Sequence, residues 1–183
     1  MRTSVFLFLI LLLSACHNDP ADIEAFFGQL DTSIETAKEV EILYSDSAII
    51  RVKILAPTML RHLDSQEPFQ EFPDGVNVEF FDARQKVSST LTAKYAIRYD
   101  RESKVVVQDS VVWQSVAQEK LETEELIWDE KTQKVFTNKF VVITRPDEII
   151  YGHGFEANQD FSYSKIKAIE GRLKVEDIGK ELE

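Results

Sequence analysis

The sequence predicts an all-β protein, a twisted antiparallel β-jelly roll built from repeated hairpins and open at its ends. Three features predict it. From Ala48 onward, stretches of strong β-formers alternate apolar and polar residues, the two-residue period of a half-buried strand. Polar clusters punctuate these stretches at hairpin spacing. The hairpins then echo one another at an interval of about thirty residues.

Each element follows from its residues. Residues 48–55 alternate through Ile50, Val52 and Ile54 and close at Ala56-Pro57, a strand ended by proline. Residues 59–74, charged and carrying Pro68 and Pro73, read as an irregular connector, and Asp74-Gly75 supplies a turn before the strand 76–81. Strands 91–100 and 105–113 flank a polar turn at 101–103. The scheme recurs in 121–129 and 135–143 around the turn 130–134. Leu91 then matches Leu121, and Asp109 with Val111 matches Asn138 with Phe140; a weaker third copy starts at Ile150 and ends at Val175. Alternation slips by one residue between Leu121/Thr123 and Leu126/Trp128, which demands a β-bulge, and bulges bend sheets. A sheet folding over on itself is therefore expected in place of a flat meander.

The N-terminal region reads differently. One basic residue, Arg2, precedes an apolar run over residues 5–13 that is short for a bilayer, and Leu13-Ser14-Ala15-Cys16 has the form of a lipobox. Residues 1–15 are expected to be a lipoprotein signal peptide, with Cys16 acylated as the mature N-terminus. Residues 16–47 read as a tether with room for a short helical turn, 48–176 as the jelly roll, and 177–183 as a tail. Cys16 is the sole cysteine, so no intramolecular disulfide is available and an apolar core with strand hydrogen bonds must hold the fold. The net charge of −11 argues against nucleic acid and against electrostatic adsorption to anionic lipid, leaving membrane association to the anchor.

Catalysis is not expected. Glu119, Glu122, Glu124, Glu125, Asp129 and Glu130 alternate with apolar residues, as a solvated strand face does. His17, His62 and His153 are scattered, and His153 lies between two glycines better explained by close backbone approach or a bend. No GxxxxGK loop is present for nucleotide hydrolysis. Neither a cofactor nor a metal site is predicted.

The lipobox, Ala56-Pro57, the turn Phe72-Pro73-Asp74-Gly75-Val76 and the repeated Leu-x-Ala and Leu-x-Thr hairpins together resemble the LptC family. The segment Gly152-His153-Gly154-Phe155-Glu156-Ala157-Asn158, followed by Phe161 and by Ile169-Glu170-Gly171-Arg172-Leu173, is similar to the closing repeat of the LptC and LptA (OstA-like) superfamily. One departure is the N-terminus: better-known members keep a transmembrane helix where this chain carries a lipobox. The resemblance implies lipopolysaccharide export from the periplasmic face of the inner membrane. The acyl chains would lie in an inner trough, one end docking on an LptB/LptF/LptG-type ABC transporter and the other on an LptA-like periplasmic protein.

Such a task needs a sheltered apolar surface, because exposing a twelve-carbon chain costs on the order of 10 kcal/mol. Trp113, Trp128, Phe136, Phe140, Val142 and Phe155 are the trough candidates. The edge candidates for partner pairing are Ile169, Gly171, Leu173 and Val175, among the charges of Lys165, Lys167, Arg172 and Lys174 that commonly deter it. The alternative is a β-rich lipoprotein adaptor that binds proteins and never touches lipid.

Overall fold

Strands dominate residues 33–63 and 66–174, the part of the chain that the computed structural model describes. In order they are β1 (Ile34–Asp46), β2 (Ile49–His62), β3 (Phe69–Phe72), β4 (Val76–Phe81), β5 (Val87–Ala93), β6 (Tyr95–Tyr99), β7 (Lys104–Ser115), β8 (Lys120–Asp129), β9 (Lys134–Thr144), β10 (Glu148–Asn158) and β11 (Ser164–Lys174). Every pairing among them is antiparallel. The signal peptide, Cys16, the first half of the tether, Val175 and the tail lie outside the described residues.

The connectivity is a meander in which the strands are bent. β3 and β4 both pair with β2, at Leu60–His62 and at Val52–Leu55, so they are two halves of one crossing interrupted at Pro73–Gly75. β5 and β6 likewise both pair with β7 and break only at Lys94. The long strands break register midway: β7 and β8 between Gln108 and Val111, β8 and β9 between Thr123 and Ile127, and β9 and β10 between His153 and Phe155. Positive φ at Glu39, Asp109, Ser110 and Gly154 marks the same line. Those bulges crease the sheet into two facing leaves, the jelly roll that the sequence predicts. The first leaf holds β4, β5 and the halves of the long strands that pair at their level. The second holds β3, β6 and the other halves.

Polar groups freed along the crease are met by side chains. The β1–β2 ladder skips Glu39 and Pro57, so the proline occupies a place where no N–H is required. Beside it the buried Thr58 hydroxyl accepts from Lys38 Nζ (2.7 Å), and Thr137 Oγ1 accepts from Lys139 N (3.0 Å). At the hairpin tips, Asp82 accepts from the N–H groups of Arg84 (2.8 Å) and Lys86 (2.9 Å), and Asp129 from Lys131 (3.0 Å) and Thr132 (2.9 Å). These backbone donors hold both carboxyls below the usual range.

Three expectations are corrected. Residues 34–46, read as tether, form β1, the longest ladder partner of β2. Its Val40, Ile42 and Tyr44 turn inward while Glu39, Glu41 and Leu43 face out, a strand pattern diluted by charge because β1 is an edge. The strand read as closing at Pro57 runs on to His62, since the proline sits at the crease. The connector 59–74 contains β3, whose Phe69–Phe72 pairs with β6.

β3 is also tied to β6 by the Tyr95 hydroxyl, which donates to Glu71 Oε1 (3.0 Å). Burial, then this hydrogen bond, pushes the Tyr95 phenol up to about 12. The neutral phenol is thus favoured in the fold, so its contribution is complete below the unfolded value of about 10 and is lost as pH climbs through about 12. Tyr95→Phe is expected to remove part of the stability loss over that alkaline window. Urea midpoints measured at stepped pH check this, and identical alkaline slopes for the two proteins would refute it.

Candidate apolar hollow and its edges

Cross-strand neighbours share a face, so the register itself shows what lies between the leaves. On the first leaf one file runs from Ile42 through Ile54, Val78, Leu91, Trp113, Leu121 and Ile143 to Ile150. A second file runs from Val111 through Thr123, Val141 and Gly152 to Ile169. On the second leaf Val105, Trp128, Val135 and Ala157 form a third. Leu126, Phe155 and Ala96 fill the space near the crease. The interior is therefore an apolar corridor running across the strands, from β1 at one edge to β11 at the other.

Aromatic rings join the two walls. Tyr44, reaching from β1, meets Trp128 edge-on with centroids 6.2 Å apart. Burial pushes the Tyr44 phenol up, opposed by the nearby Arg98 guanidinium. Arg98 itself bonds Glu130 (2.9 Å) and Asp100 (2.9 Å). Phe161, in the β10–β11 turn, stacks on Trp113 at 4.5 Å. The indole Nε1 atoms of Trp113 and Trp128 are buried, and among the described residues no group accepts from either. A buried N–H without an acceptor costs about 1–3 kcal/mol.

The six trough candidates divide. Trp113, Trp128 and Phe155 stand inside. Phe136 shares the outer face with Ile127 and Glu156, and Val142 shares it with Glu122 and Tyr151. Phe140, 41% exposed, packs against the His153 ring on that same outer face. Tyr44, Phe80 and Phe161 belong to the interior and were not expected there. Alternation through Val40, Ile42 and Tyr44 was a usable signal for the first; an aromatic in a polar turn carries none.

Of the chemistry-bearing residues, Glu130 lies near Tyr44 through its pair with Arg98, and the others with partners are tied elsewhere. Glu119 pairs with Arg145 (3.1 Å), Glu122 with Lys120 (2.8 Å) and Glu125 with Gln108 (2.9 Å), while Asp129 caps its turn. His153 has an acidic partner: Nδ1 lies 2.6 Å from Glu170 Oε1 on the exposed side of β10 and β11. Its flanking glycines behave as expected. A methyl on Gly152 would strike the Ala168 carbonyl oxygen, and Gly154 takes φ +73 at the crease.

Among the described residues β11 pairs with β10 alone and β1 with β2 alone, so both ends of the corridor are unpaired strand edges. At the β11 edge Ile169 is 59% exposed and Leu173 47%, on opposite faces, and Gly171 lies under the Tyr151 ring. Ile169 continues the inner file, so the apolar lining reaches the rim uncovered. Val175 lies outside the described residues.

No curated protein matches the chain. A family model described as lipopolysaccharide-assembly, LptC-related, matches residues 70–167, from β3 through the first part of β11. That stretch is more than half of the chain and takes in both leaves and the crease, so the protein belongs to the LptC family and has a role in lipopolysaccharide transport in the cell envelope.

Proposed function

We propose that this chain is a non-catalytic carrier, anchored at the periplasmic face of the inner membrane by a lipid on Cys16, that takes lipopolysaccharide from an LptB/LptF/LptG-type ABC transporter and passes it to an LptA-like protein. One observation carries the reading: an apolar corridor crosses the whole meander and ends, at Ile169, in exposed apolar surface on an unpaired edge. Acyl chains fit such a corridor because each methylene kept from water is worth about 0.8 kcal/mol. An edge strand suits the hand-off because main-chain pairing extends a sheet without new side-chain design. The paired carboxylates and the surface His153–Glu170 pair support a non-catalytic role.

The test uses photo-crosslinking residues placed singly at Ile169, Gly171 and Leu173 in cells. Capture of an LptA-like protein at these positions, with lipopolysaccharide co-purifying and an acylated N-terminus by mass spectrometry, is the expected result. Partner capture with no lipopolysaccharide, even in detergent-free preparations, would leave the protein-only adaptor standing in its place.

A further inference from the structure

The turn joining β10 to β11 is built around Asn158. Its carbonyl accepts from Phe161 N (3.0 Å), its side-chain oxygen from Tyr163 N (2.9 Å), and its amide nitrogen donates to Ser162 Oγ (2.7 Å). Gln159 N adds a bond to Gln133 O (3.0 Å) in the adjacent hairpin turn. Within this frame Phe161 takes φ 57, a left-handed backbone that a bulky residue adopts at a cost. Gln159, Asp160, Ser162 and Tyr163 are exposed, while Phe161 turns inward. A turn that leaves the second leaf thus lays its ring on residues of the first, stacked on Trp113 and edge-on to Phe80 at 6.0 Å, with Phe155 at the crease 6.4 Å away.

The seat is unusual for a finished core. Trp113, on whose face the Phe161 ring stacks, is 8% exposed, yet its indole N–H meets no acceptor among the described residues. A strained backbone that inserts a ring next to an unmet donor describes a place shaped for something other than that ring. The occupant would be apolar along its length and carry an oxygen.

We propose that Phe161 is a removable stopper over an acyl-chain subsite centred on Trp113, and that an oxygen borne by the entering chain, a 3-hydroxyl or ester carbonyl, accepts the indole N–H. The inference rests on the reading of the corridor as an acyl-chain route. Exchange of ring for chain keeps the apolar burial nearly level, relieves the Phe161 backbone and satisfies Trp113. Displacement breaks the bonds of one exposed turn and leaves the strand ladders intact.

Calorimetric titration of the full chain with 3-hydroxytetradecanoate, tetradecanoate and purified lipopolysaccharide tests it. The wild type should prefer the hydroxylated chain by about fivefold, the worth of one ordinary hydrogen bond, and Trp113→Phe should bind both chains alike. Phe161→Ala should bind both about tenfold tighter, as expected if the ring holds its seat about nine-tenths of the time. Asn158→Ala, which loosens the turn and keeps the ring, should shift affinity the same way, with far-UV circular dichroism showing the fold retained. Affinities unchanged or weakened in both turn variants overturn the stopper, and a preference surviving in Trp113→Phe overturns the oxygen contact. If wild type and variants bind neither chain nor lipopolysaccharide, the corridor reading itself fails; lipopolysaccharide binding with indifferent variants removes the stopper alone.

Discussion

Replacing Phe155 by alanine is expected to cost about 3–5 kcal/mol, the range for deleting a buried aromatic from a close-packed interior. Phe155 is 2% exposed, shares its file with Thr137 and Ile166, and stands beside Phe161. It comes directly after the crease glycine, so the void would open where the two leaves diverge and neither could shift to fill it. Phe140→Ala is the matched control: the same chemistry on the outer face, 41% exposed, should cost within about 0.5 kcal/mol. Urea midpoints of the two variants decide the matter, and near-equal losses would contradict the assignment of Phe155 to the interior and Phe140 to the surface.

The second large effect is expected from a single added methyl. Gly152→Ala drives a Cβ into the Ala168 carbonyl and against the Ile169 backbone, at the point where the β10–β11 register already shifts. Backbone cannot yield as a flexible side chain does, so the ladder must open, at a cost of about 1–3 kcal/mol or more. The loss should concentrate in β11. Hydrogen exchange should show its amides deprotected while those of β7 and β8 stay slow, and crosslinking from Ile169 should fall with it. Gly154→Ala meets only the Lys167 side chain and a left-handed φ, so it should cost about 1–2 kcal/mol without freeing β11. Protection in β11 unchanged by Gly152→Ala would contradict the close approach.

How far the sequence reveals this design depends on the residue. The hairpins, the Asp74-Gly75 turn and the bulge between Thr123 and Leu126 were legible because each has a local cause: alternation, a residue tolerant of positive φ, a slip in period. β1 was missed although Val40, Ile42 and Tyr44 alternate, because its outward positions are mostly charged and dilute that pattern. Pro57 was misread as an end because its missing N–H is harmless only at a crease, and a crease is a property of the folded sheet.

The interior list shows a different limit. In β9 Val135, Thr137, Val141 and Ile143 face in, and Phe136, Phe140 and Val142 face out. Both files are apolar, so bulk pointed one way and parity the other, and the buried threonine gives the right side only once its hydroxyl is seen to meet Lys139 N. Phe161 stands in the segment that resembles the family's closing repeat, but nothing in the sequence told that its ring turns inward. Its place depends on Asn158 folding the turn back on itself.

Because β11 passes through both leaves, the free margin it offers is bent at mid-length. A straight segment from an unrelated chain can zip along one half and must let go at the angle. Only a margin that turns through the same corner would follow it from end to end.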